Sequence, residues 1–206
     1  MTKTMISRVT LLTLPAGILA LSCPVLASGQ STSKSPQTMV STILPWWEMI
    51  EKSFVSVADA MPEEKWAFAP KDGAFDGVRT FAQQVKHVAC ANFAFWRGPR
   101  RACCARWGAF QEIEKKTPPD GCETGGPDPS RTKAELLKYL RDSFAYGRKV
   151  IGMMTPENAL DAASGRYGGN STRLGLTTLA VWHTSDHYGQ IVVYLRMNGI
   201  VPPPSR

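Results

Sequence analysis

The sequence contains only three histidines in 206 residues, and it is poor in the residues that define unusual protein classes. Its 17 glycines and 15 prolines are too few for collagen or for a low-complexity chain. A charged fraction of 20% and a hydrophobic fraction of 43% argue against a multi-span membrane protein. At about 150 residues per domain, the length predicts a single globular domain that needs neither metal nor disulfide merely to fold.

Several sequence patterns are also missing. No two cysteines have CxxC spacing, which leaves a zinc knuckle or a thioredoxin-type centre unsupported. We find no period-two run with a hairpin signal and no repeat of 20 to 50 residues, so neither a sheet nor a solenoid is indicated. The glycine-rich stretch Gly165–Gly169 lacks the phosphate-loop form GxxxxGK[ST] and a preceding strand.

The one long apolar run lies at the N-terminus. Lys3 and Arg8 precede the apolar stretch Val9–Leu26, and Val25–Ser28 has the small-residue form that signal peptidase cleaves. We therefore predict a signal peptide at residues 1–27, a flexible segment at 28–35, and a periplasmic or secreted protein. Removing residues 1–27 lowers the formal net charge from +7 to +5 and leaves no stable membrane span.

Two alternatives remain for this N-terminal segment. Val9–Ala27 is 19 residues long, close to the roughly 20 that span a bilayer, so an uncleaved anchor is the competing interpretation. Leu21–Cys23 also faintly resembles a lipoprotein acylation site, although Pro24 follows the cysteine.

Export would place the remaining cysteines in a compartment where disulfides persist. These are Cys90, Cys103, Cys104 and Cys122. Cys103 and Cys104 are adjacent and can hardly bridge each other, so one interpretation is a bridge from either of them to Cys122. The other is that all four are free thiols, with Cys90 a small core residue on a helix.

Four apolar series with spacings of three and four predict four helices. The first runs from Met39 to about Met61, and either starts or kinks at Pro45. The second extends from about Asp76 to Arg97. The third follows a candidate N-cap at Ser130 and ends before Pro156, and the fourth spans about Leu174 to Asn198, with Gly199 as the left-handed stop.

Four helices of similar length predict an all-α four-helix bundle. Residues 98–129 would form a loop of 32 residues between helices two and three, and residues 155–173 a second long connection. A link of that length can run along the whole bundle, so helices two and three can be parallel.

Two histidines lie four residues apart on helix four, in the sequence His183-Thr-Ser-Asp-His187. They share a face with apolar residues such as Leu176, Ala180 and Ile191, so both rings are expected to point into the bundle. Two imidazoles at this spacing suit Zn²⁺, Ni²⁺ or Fe²⁺, whereas a pair of hydrogen-bonded core histidines is the simpler alternative. Thr184 stands where HExxH metalloproteases carry their glutamate.

Polar residues on helix four are candidates for supporting the pair. Asp186 can accept a hydrogen bond from an imidazole or act as a further ligand, or it is simply a neighbouring polar residue. Gln190 lies on the histidine face and is the better supporting candidate.

His87, on helix two, can supply a third ligand, although its helical position is nearly opposite Val85 and Ala89 and periodicity alone makes it a rim residue.

A basic cluster follows helix two. The cluster consists of Arg97, Arg100, Arg101 and Arg106 with Trp96 and Trp107 on either side, a combination found in phosphate- or nucleic-acid-binding loops. We favour a solvated loop anchored by the tryptophans, and we expect no nucleic-acid partner.

Three stretches resemble the DinB/YfiT-like superfamily, and together the resemblance covers residues 36–205. They are Met61–Trp66 with Phe68 and Pro70, Arg79–Ala89, and the segment HTSDHYGQIVVYLRMNGIVPP at 183–203. The resemblance implies a DinB-like bundle domain at 36–206 with helices arranged up-down-down-up. It also implies a metal site formed by His87, His183 and His187, and it overrides the rim interpretation of His87.

The resemblance further implies that the metal activates a thiol, because characterised members include thiol-dependent transferases and an isomerase. Metal-assisted hydrolysis is equally compatible with the residues. We expect an enzyme with a small-molecule substrate, of hydrolase or transferase type, and the alternative is a metal-binding or interaction module without turnover. Exposed apolar positions such as Val181 and Val192 would be compatible with a homodimer.

Overall fold

Four α-helices form the described part of the chain. A computed structural model of the protein describes residues 36–96, 132–163 and 171–203. The helices are α1 (Met39–Ala60), α2 (Phe81–Phe95), α3 (Lys133–Gly152) and α4 (Arg173–Met197), and a short 3₁₀ helix, Glu63–Lys65, follows α1. Within those three ranges the only β-type pairing is the isolated bridge between Ala162 and Thr172. No helix there is long and apolar enough to cross a bilayer.

Each helix begins at a threonine. Thr38, Thr80, Thr132 and Thr172 are the N-caps, and each side chain accepts a hydrogen bond from the backbone N–H three residues later. The first three also form capping boxes, which satisfy two otherwise unpaired N–H groups at each helix start. The predicted N-cap of helix three, Ser130, is therefore wrong, because Thr132 holds that position and Glu135 completes its capping box.

The structure also corrects the predicted starting residues of two other helices. Pro45 lies inside α1, so the helix does not start there. Helix two begins at Phe81 rather than near Asp76, because Gly77 has a φ of +76° that interrupts helical geometry and Thr80 is extended. The fourth helix ends as predicted, since Gly199 has a φ of +75° just beyond Asn198.

Cross-helix contacts give the direction of each helix. Trp47 Nε1 donates to the carbonyl oxygen of Phe144, while Lys133 Nζ donates to the carbonyl oxygen of Asp59, so α1 and α3 are antiparallel. An ion pair between Arg148 and Glu51 also connects α3 with α1.

The remaining helix pairs complete the arrangement. On α2 and α3, Cys90 meets Tyr139 and Asn92 meets Ser143, so these helices are parallel. On α2 and α4, Gln84 meets Gln190 whereas His87 meets His183, so these two are antiparallel. The bundle is therefore up-down-down-up, and α2 packs against both α3 and α4. This confirms the all-α, four-helix prediction and its parallel middle helices.

The core is rich in aromatic side chains. The Trp47 indole packs against Phe144 with ring centroids 5.0 Å apart and meets the edge of Trp96 at 6.3 Å. Trp96 is buried, as expected of an anchoring tryptophan. Val181 and Val192 are partly buried against the core, which corrects the expectation that they are exposed; Trp182 and Val193 are the exposed apolar residues beside them.

Several predicted features lie outside the described residues. They are the signal peptide at 1–27, the segment 28–35, the loop 98–129 with Cys103, Cys104 and Cys122, the arginine cluster at 97–106, and the stretch 165–169.

We predict that Gly147→Ala destabilises the bundle. A Cβ at Gly147 would clash with the indole of Trp47, lying 2.8 Å from Cε2, and both elements are fixed in the core. Overpacking of this kind lowers the free energy of unfolding by about 1–3 kcal/mol. Urea denaturation measures the difference.

Gly189→Ala is the matched control for that substitution. Gly189 also lies inside a helix, but a Cβ there meets nothing within 4 Å. Removing a helix-interior glycine should raise the free energy of unfolding by about 0.5–1 kcal/mol. Equal effects of the two substitutions would contradict the proposed role of the Trp47 contact.

Candidate metal centre

Three histidines from two antiparallel helices converge in the bundle. His87 comes from α2, and His183 and His187 lie one turn apart on α4. One ring nitrogen from each residue lies within 4.8 Å of those from the other two. The ring centroids are 4.5–5.1 Å apart, and Phe95 packs its edge against His183 at 5.2 Å. The structure thus brings together the three residues that the sequence indicated.

His87 is buried, with 8% of its surface exposed, so the rim position suggested by periodicity alone is wrong. The physical reason is that α2 is enclosed by α3 and α4 and by the segment after α1, where Trp66 and Phe68 bond to its first turn. Most of its residues are buried on every side, including Gln84 and Asn92. A helix buried around most of its circumference has no single apolar face to detect.

Burial keeps His183 and His187 neutral at neutral pH. Burial lowers the pKa of His183 to about 3, and the charges of His187, His87 and Arg79 oppose protonation further, against a partial opposite effect of Asp186. Burial likewise lowers the pKa of His187 to about 4, helped by His87 and Arg79 and opposed by a hydrogen bond to Gln190. Both imidazoles therefore carry an available lone pair at neutral pH, which is the form that binds metal.

One pair of ring nitrogens has the spacing of two ligands of a divalent cation. His87 Nε2 and His183 Nε2 are 3.1 Å apart. Two imidazoles bound to one zinc ion at 2.0–2.1 Å place their nitrogens about 2.9–3.4 Å apart, for bond angles between octahedral and tetrahedral. In addition, the Nδ1 atoms of His183 and His187 are buried and have no hydrogen-bond partner among the described residues. Buried polar atoms without partners are costly, and for His183 this nitrogen is not the one that approaches His87, so a water beside it would lower that cost.

A chain of two amides supports the histidines. Gln84 Nε2 donates to Gln190 Oε1 at 2.6 Å, and Gln190 Nε2 donates to Asp186 Oδ2 at 3.0 Å. Gln190 is thus hydrogen-bonded to Gln84, Asp186 and His187, and its supporting role stays a prediction. Asp186 is exposed and bonds to Gln190, and it is not part of the three-histidine group, so its predicted role as a further ligand has no support among the described contacts.

Sequence analysis missed a buried polar layer on the other side of the histidines. Thr184 Oγ1 donates to Asn92 Oδ1 at 3.3 Å, Asn92 Nδ2 donates to Ser143 Oγ at 3.2 Å, and Ser143 Oγ donates to the Leu140 carbonyl at 2.7 Å. These bonds join α4, α2 and α3 directly beside the metal-site residues. Fully satisfied buried networks fix the register of helices more tightly than apolar contacts do. Asn92, five residues after His87 in an apolar series, was the available signal.

Cys90 lies one turn after His87 and is disulfide-bonded, so the interpretation of Cys90 as a free thiol is wrong. Tyr139 Oη lies 3.4 Å from its sulfur. The other cysteines of the chain, Cys23, Cys103, Cys104 and Cys122, lie outside the described residues.

Comparison with known protein families agrees with this geometry. A sequence profile described as the DinB superfamily matches residues 47–191, more than half of the chain. The chain belongs to the DinB superfamily. The part matched by the DinB profile includes His87, His183 and His187, so these histidines lie within the domain itself. No curated protein matches the chain significantly.

The pKa values of His183 and His187 predict how the stability of this DinB-superfamily protein depends on pH when no metal is bound. Unfolded histidine has a pKa of about 6.5, whereas His183 and His187 have values of about 3 and about 4 when folded. Between those values the unfolded chain binds more protons than the folded one, so the free energy of unfolding falls as pH decreases from about 6.5 to about 4. Urea denaturation of chelator-treated protein across this range measures the slope.

The double variant His183→Asn/His187→Asn isolates this contribution, because it keeps every carboxylate of the protein. Its stability should depend less steeply on pH than that of the wild type over the same interval. Parallel curves would show that the two histidines titrate normally.

Proposed function

We propose that this protein is a divalent-metal-dependent enzyme in which His87, His183 and His187 hold one cation beside a substrate cavity. The observation that carries the proposal is the convergence of three imidazoles whose ring nitrogens lie within 4.8 Å of one another. Imidazole ligands suit Zn²⁺, Ni²⁺ and Fe²⁺. A cation at this position would supply Lewis acidity, lowering the pKa of a bound water or thiol at neutral pH.

The chain's own residues preorganise this chemistry. Burial excludes protons from His183 and His187, so the ligands need not lose a proton when metal binds. Gln190 bonds to His187 and is itself held between Gln84 and Asp186. A side chain fixed on both sides keeps the attached imidazole in one orientation, which is the usual role of such supporting contacts.

His183 is the ligand through which the site meets solvent. It is partly exposed, whereas His87 and His187 are buried. Substrate access through one side of the cluster, with the other two ligands enclosed by helices, is typical of a catalytic rather than a purely structural metal site.

Hydrolysis is the reaction that the described residues favour. Cys90, the described cysteine nearest in sequence to His87, is disulfide-bonded and supplies no thiolate. A thiol transferase would therefore need a separate thiol cosubstrate, whereas a hydrolase needs only water. Thiol transfer remains the second reaction to assay because the family resemblance implies it.

We also propose that the protein is exported. Lys3, Arg8 and the apolar stretch ending at Ala27 support a cleaved signal peptide. The disulfide at Cys90 supports an oxidising compartment such as the periplasm, since protein disulfides rarely persist in the cytosol.

Metal analysis tests the site. The purified protein, dialysed against Zn²⁺, Ni²⁺ or Fe²⁺ and desalted, should retain about one ion per chain by mass spectrometry, as a single three-histidine site would. His87→Ala, His183→Ala and His187→Ala should each lose most of that ion, because two imidazoles bind far more weakly than three. Ser185→Ala is the matched control, since Ser185 is exposed on the same helix and bonds only to the carbonyl of Val181.

Turnover tests the enzymatic part of the proposal. The metal-loaded protein should hydrolyse members of a panel of esters and amides, or conjugate a thiol to an electrophile, and His183→Ala should not. Stoichiometric metal in His183→Ala would overturn the ligand assignment. Metal retained by the wild type without turnover on either panel would favour a non-catalytic binding module.

A further inference from the structure

A cavity of about 510 Å³ is lined by Gln84 and Gln190, the amides next to the histidine centre, although none of the three histidines lines it. Its wall is formed by the segment after α1 and by one face each of α2 and α4. Phe75, Val78 and Val193 supply apolar surface, and all three are substantially exposed. Of the two amides, Gln190 bonds to His187. The volume is within the range of small-molecule sites.

Among the described residues that line this cavity, Arg79 is the one that carries a charge. It precedes the N-cap of α2, and Tyr194, another lining residue, donates a hydrogen bond from its hydroxyl to the Arg79 carbonyl at 3.0 Å. The positive charge of Arg79 helps to lower the pKa of both His183 and His187, so it lies near the histidine centre as well as lining the cavity. A guanidinium in a partly apolar cavity favours an anion, and carboxylates match its planar donors.

Gln84, which lines the same cavity, carries a buried hydrogen-bond acceptor. The Asp186 carboxylate only accepts hydrogen bonds, so it fixes the Gln190 amide with its nitrogen toward Asp186 and its oxygen toward Gln84. Gln84 must then point its own nitrogen at Gln190, which leaves Gln84 Oε1 without a hydrogen-bond partner in the described residues. Gln84 is only 2% exposed, and a buried oxygen without a hydrogen bond is unfavourable, so Oε1 requires a donor.

We infer that the cavity binds a small organic acid with an apolar body and one hydrogen-bond donor, with its carboxylate at Arg79 and its hydroxyl or N–H at Gln84 Oε1. The apolar body then lies against Phe75, Val78 and Val193 at the mouth. Such a ligand meets each unusual feature of the wall: one positive charge, one buried acceptor and an apolar rim. That this acid is the substrate rests on the proposed function; its binding does not, because neither Arg79 nor Gln84 belongs to the histidine group.

Three probes on one scaffold test this assignment. Mandelate has the carboxylate, the hydroxyl and an apolar ring; mandelamide lacks the charge, and α-methoxyphenylacetate lacks the donor. Isothermal titration calorimetry is carried out on metal-free protein, so that chelation by the hydroxy acid does not contribute. Mandelate should bind at least about tenfold more tightly than mandelamide, because only the carboxylate forms a charge-assisted hydrogen bond. It should bind several-fold more tightly than α-methoxyphenylacetate, which lacks the hydrogen-bond donor.

Arg79 variants then locate the charge. Arg79→Gln should reduce mandelate binding to the level of mandelamide and leave mandelamide unchanged, and Arg79→Lys should retain part of the preference. Arg196→Gln is the matched control, because Arg196 is exposed on α4 and is not among the residues that line the cavity.

The outcomes separate this proposal from the metal proposal. If mandelate binds no more tightly than mandelamide to the wild type, a measurement that needs no variant, the assignment is overturned. It is also overturned if Arg79→Gln weakens both probes equally, as a merely structural role would. If the wild type binds no metal but still binds mandelate more tightly than mandelamide, the metal-site proposal is overturned and the organic-acid proposal is supported.

Discussion

The contact between α2 and α4 is the constraint on which the rest of this structure depends. It encloses three imidazoles in a space where burial lowers the pKa of His183 and His187 and where the buried Nδ1 atoms of these two residues have no partner in the described chain. Such a cluster is unfavourable unless the surrounding structure fixes it or a ligand satisfies it. The residues packed around the three histidines provide this fixation.

Polar contacts hold the histidines from both sides. Toward the cavity, the amides of Gln84 and Gln190 are ordered by the carboxylate of Asp186. Toward the middle of the bundle, Asn92 connects Thr184 on α4 with Ser143 on α3. Because hydrogen bonds are directional, these two layers determine the register of α2 against its neighbours more narrowly than the apolar core alone. The aromatic contacts around Trp47 stabilise the bundle without specifying the position of a histidine.

Much of this arrangement could be predicted from the sequence, for reasons that particular residues make clear. The spacing of His183 and His187 and their apolar neighbours placed that pair inside the bundle, because α4 buries one defined stripe. His87 could not be placed by the same argument, because α2 is buried on most sides and only the family resemblance located it. Thr132 was missed as an N-cap because Ser130 is also a good capping residue and only the partner Glu135 distinguishes them. The cavity could not be predicted at all, since Arg79, Gln84 and Gln190 meet only through the fold.

The histidine centre also joins distant parts of the chain. His87 and His183 are separated by 96 positions in sequence, and nothing local brings them together. Closing so long a loop costs conformational entropy that is recovered only once α2 and α4 are packed. An isolated α4 with its two histidines, or any fragment lacking α2, therefore cannot reproduce the centre. A cation bound there would act as a crosslink across the whole domain, so that its release would loosen the contact between the two halves of the fold rather than a single loop.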